Sequence, residues 1–152
     1  MAMEPQFLPA EISDLDAIVT MMRDLYASDG LSFPEHGPRA LEQLLTHREY
    51  GHCEIVTDSK VHVGYFVLGF GFSLEFGGRD AFLDELYIAR SARNQGLGRA
   101  AVARAVKICK EAQIHALHLE ANSKNMAAQR LYRGAGFTPR HAGYDLLTLR
   151  LD

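Results

Sequence analysis

The run Arg93-Asn94-Gln95-Gly96-Leu97-Gly98-Arg99 lies between an apolar, strand-like stretch and an amphipathic helix. The first turn of a helix leaves backbone N–H groups without intrahelical acceptors, and its dipole favours an anion there. Gly96 and Gly98 lack a Cβ, so an anionic group can approach those amides, with Arg93 and Arg99 on either side to add charge or hydrogen bonds. A phosphate or pyrophosphate fits this chemistry. A strand-to-helix turn merely shaped by its glycines fits the same residues. Upstream, Asp84 and Glu85 are adjacent carboxylates that an unbulged strand points to opposite faces. A carboxylate partly withdrawn from water gains proton affinity, which makes Glu85 the preferred proton acceptor and Asp84 the next, since a bulge would exchange their faces.

Several chemistries are excluded by motif. No Gly-Lys-Ser or Gly-Lys-Thr occurs, so there is no nucleoside-triphosphate loop. Gly96-x-Gly98-x-x-Ala101 has dinucleotide spacing and Glu120 stands near the place of a ribose-binding acid, yet residues 90–95 separate the strand from the first glycine. Too little chain follows Ala101 for the repeated strand-helix units of that fold. The histidines form no metal set: His115 and His118 share no useful period, and no H-E-x-x-H is present. There is no G-x-S-x-G elbow, and Cys53 has no visible base, so direct attack by an acceptor needs fewer assumptions than a covalent enzyme intermediate. His118 and Glu120 are secondary candidates for contact with an acceptor.

The elements that must position these groups follow from hydrophobic period. Gln6-Phe7-Leu8 forms a short strand ended by Pro9, and Ser13 caps a helix running to Ser28 on Leu15, Ile18, Val19, Met22, Leu25 and Tyr26. Residues 29–34 break it, a connection that forms either one wall of a substrate site or a surface loop with Phe33 tucked beneath. A second helix covers residues 39–48. From Gly51 the period becomes two: a strand over 53–56, a turn over 57–60, and a long strand from Val61 on which Val61, Val63, Tyr65 and Val67 share one face. Gly69 and Gly71 mark a bulge, a bend or a close approach to the backbone. Gly77-Gly78 turns the chain into a strand over 82–88, and Leu97, Ala101, Val102, Ala105, Ile108, Cys109 and Ala112 lie on one arc of the helix that follows. Then come a strand over 116–121, a helix with Ala127, Ala128 and Leu131 as its buried stripe, and a terminal strand over 144–151.

Composition sets the outer bounds. With 152 residues and 47% hydrophobic content, the chain has the length and apolar material of one domain. A net charge of -3 lacks the basic footprint of a nucleic-acid binder, and local arginines around the glycine loop suit one anionic ligand. No apolar run approaches the ~20 residues that span a bilayer, and the N-terminus has no secretory pattern, so the expected location is cytoplasmic. Two cysteines make no disulfide framework, and Cys109 reads as a core residue.

Arg93-x-x-Gly96-x-Gly98 after Leu83-Asp84-Glu85-Leu86-Tyr87-Ile88, followed by Asn125-Met126-Ala127-Ala128-Gln129-Arg130-Leu131-Tyr132 and Gly136-Phe137, resembles the GCN5-related N-acetyltransferase (GNAT) family. The resemblance implies one α+β domain over residues 1–152, with a mostly antiparallel, splayed central sheet flanked by helices. It implies acetyl-CoA as cosubstrate. Arg93, Asn94, Gln95, Gly96, Leu97, Gly98 and Arg99 would then wrap its pyrophosphate, and Leu86, Tyr87 and Ile88 would run beside its pantetheine arm. Tyr132 would face the sulfur, with Asn125 on the same side of that helix completing the set. A phenol ionises near ~10, so Tyr132 can still give a proton to a departing thiolate at neutral pH. Glu85, Asp84 or ordered water would take the amine proton.

The implied reaction is direct acetyl transfer, in a ternary complex, to a primary amine of a small cationic acceptor such as a polyamine or amino-sugar. A protein N-terminal or lysine acetyltransferase and a non-catalytic CoA-binding regulator are the alternatives. Neither nucleic acid nor membrane is an expected partner, and an exposed terminal strand would favour a homodimer.

Overall fold

Residues 51–88 are dense in β-branched and aromatic side chains, and they form the three longest strands of the sheet. The computed structural model describes residues 5–151. Five strands lie side by side in chain order: β1 (Gln6–Pro9), β2 (Gly51–Asp58), β3 (Val61–Ser73), β4 (Gly78–Ile88) and β5 (Ala116–His118). The first four are antiparallel, and β5 joins β4 in parallel. Helices α1 (Leu15–Ser28), α2 (Gly37–Thr46), α3 (Leu97–Glu111) and α4 (Met126–Gly134) complete an α+β fold. The chain divides into two compact units, one ending at Glu120 and one beginning at Ala121.

In the first unit the sheet is covered on both faces. Ile18, Met21 and Met22 of α1 and Leu41 of α2 bury against Cys53, Ile55, Tyr65, Val67 and Tyr87. From α3, Ala101, Val102, Ala105 and Cys109 are buried, as its apolar arc requires. A buried ion pair fixes α3 to β2. Glu54, only 1% exposed, accepts from Arg104 Nε and Nη2, both at 2.9 Å, and lies 3.0 Å from His52 Nε2. Burial alone would raise the Glu54 carboxyl, but hydrogen bonds from His52 and Arg104 outweigh it and hold the group below the usual carboxylate range.

Two bulges change which side chains share a face. Val56 pairs with Gly64 and Thr57 with His62, which leaves Val63 as an extra residue. Val63 therefore packs with Val56, Ala92 and Leu97, rather than sharing the environment of Tyr65 and Val67 as strict alternation predicts. Along the next ladder Val67 pairs with Glu85 and Leu68 with Leu83, so the second extra residue is Asp84, on β4 and not at the β3 glycines.

Other sequence expectations are also corrected. Ser13 is not the helix cap: a 3-10 turn (Ile12–Asp14) precedes α1, and Asp14 Oδ2 takes the Glu11 N–H at 2.8 Å. β5 stops at His118 instead of running to 121. In the second unit α4 buries no residue completely: of the expected stripe, Ala128 and Leu131 are half-buried and Ala127 is exposed. Residues 144–151 form no strand, with Leu147 88% exposed. Alternating apolar residues become a strand only where another edge satisfies their backbone groups. The strand invoked for a dimer is thus absent among the described residues.

Replacing Arg104 with Ala leaves Glu54 buried without its cation and is expected to cost about 3–5 kcal/mol at neutral pH. Because Glu54's native carboxyl is depressed, its contribution is present above the unfolded value and is lost as pH falls through the native one. Urea unfolding should therefore show the wild-type advantage shrinking below about pH 4.5.

Candidate active site

The outer edge of β4 is exposed by a parting of strands. β5 pairs with β4 only at Asp80, Ala81 and Phe82, so the edge from Leu83 to Ile88 has no β5 partner. Alternation of the backbone decides which groups point there. Ala89 donates its N–H to the Val63 carbonyl at 2.7 Å, so Tyr87, two residues earlier, also directs its main chain toward β3. A Cβ on Gly64 would collide with the Tyr87 carbonyl oxygen, which agrees. Leu86 and Ile88 therefore turn their N–H and C=O groups to the open edge. Of the three residues expected beside a pantetheine arm, Tyr87 offers no outward main-chain group.

Beyond the edge, a 3-10 turn (Arg90–Ala92) leads to the glycine loop. Gly96 is the α3 N-cap at φ +79°, a left-handed conformation that a side chain would strain, and a Cβ there would point into open space. Asn94 is also left-handed, at φ +61°. The first main-chain bond of α3 runs from Ala100 N–H to Gly96 O at 3.0 Å, and among the described residues no main-chain carbonyl meets the amides of residues 94–99. Successive free amides at a helix start suit a diphosphate. Arg93 is partly committed elsewhere: its Nε donates to Ile88 O at 2.8 Å. Arg99 is exposed, while Leu97 is buried and anchors the loop to the core.

Glu85 lies on the face covered by α1 and α2. Tyr26 Oη donates to its Oε2 at 2.8 Å and Tyr65 Oη to its Oε1 at 2.9 Å. Burial raises the Glu85 carboxyl, the two phenols partly offset that rise, and Asp84 adds to it. Asp84, at the bulge, is exposed by area but is also raised by desolvation from surrounding protein. Both phenols are held well above their usual range, first by burial and then by Glu85, so they act as donors. Close by, Tyr87 Oη donates to Asp24 Oδ2 at 3.5 Å. Phe33 stacks edge-on against Tyr26 at 6.0 Å and carries the Arg23 guanidinium over its ring at 4.1 Å, so the loop after α1 is pinned here through Phe33.

The remaining candidates are placed elsewhere or otherwise engaged. Cys53 is buried and its thiol is pushed up to about 12, chiefly by desolvation, which removes it as a nucleophile. His118 Nε2 is 3.1 Å from Asp80 Oδ2 and its ring packs on Phe82 at 5.0 Å; Glu120 is exposed beyond the end of β5. Among the described residues no group of His, Cys, Asp and Glu could hold a metal. In the second unit, Asn125 Oδ1 accepts from Ala128 N–H at 3.1 Å and caps α4, while Tyr132 packs edge-on against Phe137 at 6.0 Å. Tyr26 and Tyr65 were read from sequence only as apolar-face residues; their hydroxyls next to a strand carboxylate were the missed signal.

The profile of the acetyltransferase (GNAT) family matches residues 19–137. An integron cassette protein from the mobile metagenome of Cole Harbour salt marsh is 31% identical at a TM-score of 0.83, covering 97% of this chain and 91% of that one. An aminoglycoside acetyltransferase from an uncultured soil metagenomic sample is 15% identical with a TM-score of 0.77, covering 96% and 97%. A ribosomal-protein-alanine N-acetyltransferase from Brucella melitensis biovar Abortus 2308 is 15% identical with a TM-score of 0.74, covering 95% and 100%. These last two likenesses concern the fold. No curated protein matches. Among the described residues no helix is long and apolar enough to cross a membrane.

Gly98→Val adds a branched side chain to the first turn of α3, beside the amides expected to hold a diphosphate, and an affinity loss of about tenfold or more for CoA is expected by calorimetry. Unchanged affinity in a folded variant would show that the loop does not hold the diphosphate.

Proposed function

Since the chain belongs to the acetyltransferase (GNAT) family and is an acetyl-CoA-dependent N-acetyltransferase, we propose that it acetylates a primary amine of a small cationic acceptor, with Glu85 taking the amine proton. The observation that carries this reading is the pairing of functions on consecutive residues. Leu86 offers an outward N–H at the open edge of β4, and Glu85 offers a carboxylate of raised proton affinity on the α1 and α2 face. An oxygen that gains negative charge needs the first, and an amine that loses a proton needs the second.

Bound acetyl-CoA supplies the thioester. The amides of the glycine loop would hold its diphosphate and the outward groups of Leu86 with the Ile88 N–H would align its arm, the Leu86 or Ile88 N–H being placed to polarise an acetyl carbonyl. The acceptor nitrogen forms a bond to the carbonyl carbon as the carbon–sulfur bond breaks. Its proton would pass to Glu85 directly or through water, and the family motif assigns proton donation to the sulfur to Tyr132. Asp24, Asp84 and Glu85 support a cationic acceptor, because they concentrate carboxylates about α1 and β4 on a chain of net charge -3. The amino-sugar class named for the aminoglycoside acetyltransferase is therefore one arm of the test.

Labelled acetyl-CoA is to be offered with polyamines, amino-sugars, peptides with free N-termini and lysine peptides. Turnover is expected to be highest on the first two. Preference for either peptide class would overturn the small-acceptor reading, and CoA binding without turnover on the whole panel would favour a non-catalytic role. Tyr132→Phe should retain CoA binding while kcat falls by about 10²–10⁴-fold. An unchanged kcat would remove Tyr132 from the mechanism.

A further inference from the structure

We propose that Tyr26 is a positioning residue whose hydroxyl, delivered by α1, holds Glu85 Oε2 and tunes the carboxylate for accepting a proton; this rests on the reading of Glu85 as the proton acceptor. The two phenols on Glu85 are not equivalent. Tyr65 belongs to β3, directly beside β4, and is fully buried, so its 2.9 Å bond to Oε1 is part of the sheet's packing. Tyr26 comes from a different layer, near the C-terminal end of α1, and is only half-buried. Its 2.8 Å bond to Oε2 links α1 to the strand that carries Glu85. Phe33 braces the Tyr26 ring, and Arg23 lies over Phe33, so the direction of the hydroxyl depends on how the segment after α1 folds back.

The chemical consequence has a definite sign. A hydroxyl that donates to a carboxylate favours its ionised form, so removing the donor raises the carboxyl's proton affinity. If ionised Glu85 is required, Tyr26→Phe moves the acidic limb of activity to higher pH. The titratable groups facing Glu85 are Tyr26 from α1, Tyr65 from β3, Cys53 from β2 and Asp84 beside it on β4. Burial keeps the thiol and both phenols protonated at neutral pH. Asp84 is the other group able to titrate in the acidic range, and Asp84→Asn controls for it.

The test uses the full chain in four forms: wild type, Tyr26→Phe, Asp84→Asn and Glu85→Gln. Carbon-13 NMR of labelled carboxyls, with the Glu85 signal assigned by its loss in Glu85→Gln, follows protonation without requiring an acceptor. In parallel, kcat/KM is measured against pH with spermidine, or with the amine of highest turnover in the acceptor screen. The acceptor's own ionisation is common to all variants. In Tyr26→Phe the Glu85 midpoint and the acidic limb are expected to rise together by about one pH unit, with thermal melting showing that the variant is folded. An unmoved Glu85 midpoint in folded Tyr26→Phe overturns the role of Tyr26, whatever the rates. An acidic limb that persists unchanged in Glu85→Gln overturns Glu85 as proton acceptor and leaves the NMR result to judge the hydrogen bond by itself. Asp84→Asn removes a negative neighbour that raises Glu85, so its Glu85 midpoint should fall; loss of the acidic limb in Asp84→Asn would assign that limb to Asp84 and defeat the claim for Tyr26.

Discussion

Everything at the candidate site follows from β4 losing its β5 neighbour after Phe82. A paired strand has no spare backbone groups, while an isolated edge invites nonspecific pairing. Here the free edge is short, spans only the second half of β4, and runs directly into the glycine loop. Strand alternation then turns Leu86 and Ile88 outward and Tyr87 inward. Tyr87 thus bonds across to β3, while Leu86 and Ile88 present their main-chain groups on the other side, where the Ile88 carbonyl accepts from Arg93 Nε. Parallel pairing at only three positions suffices to start the parting, because β5 is itself three residues long.

Two carboxylates with opposite proton affinities show how local partners set charge. Glu54 and Glu85 are both withdrawn from water, and burial disfavours ionisation in each. Glu54 meets a guanidinium in a two-point contact together with His52, so it stays ionised and holds α3 against β2. Glu85 meets two neutral phenols and a neighbouring acid, so its affinity for protons remains raised. One carboxyl is held below its usual range and the other above it. The charge of the neighbours sets the direction: Glu54 is the more buried by area, yet its guanidinium partner keeps it low, while Glu85 has neutral phenols and an acid beside it.

The bulge at Asp84 links these features. Without an extra residue on β4, Leu83 and Glu85 would lie on the same face of the strand. With it, Leu83 stays opposite Leu68 while Glu85 stands opposite Val67 and reaches Tyr26 and Tyr65. A buried apolar residue and a carboxylate held by two phenols are thus served on one strand, at the cost of a local break in the ladder. Val63 does something similar near the start of β3, joining the cluster that receives Leu97 at the base of the glycine loop.

Local chemistry was legible from sequence wherever it depended on neighbours in the chain. The period of two from Gly51 onward, the apolar arc of α3, and Gly96 and Gly98 at the strand-to-helix junction all express constraints a few residues long, and they determined the α+β class and the likeness to the acetyltransferase family. Only the tertiary structure decided which carboxylate is withdrawn among phenols, which β4 amides face outward, and that residues 144–151 do not pair as a strand. Tyr26 and Glu85 stand 59 positions apart and Glu54 and Arg104 stand 50 apart. Bulges and strand partings arise from competition between ladder hydrogen bonds and packing on both sheet faces, and that competition is settled only when the distant elements meet.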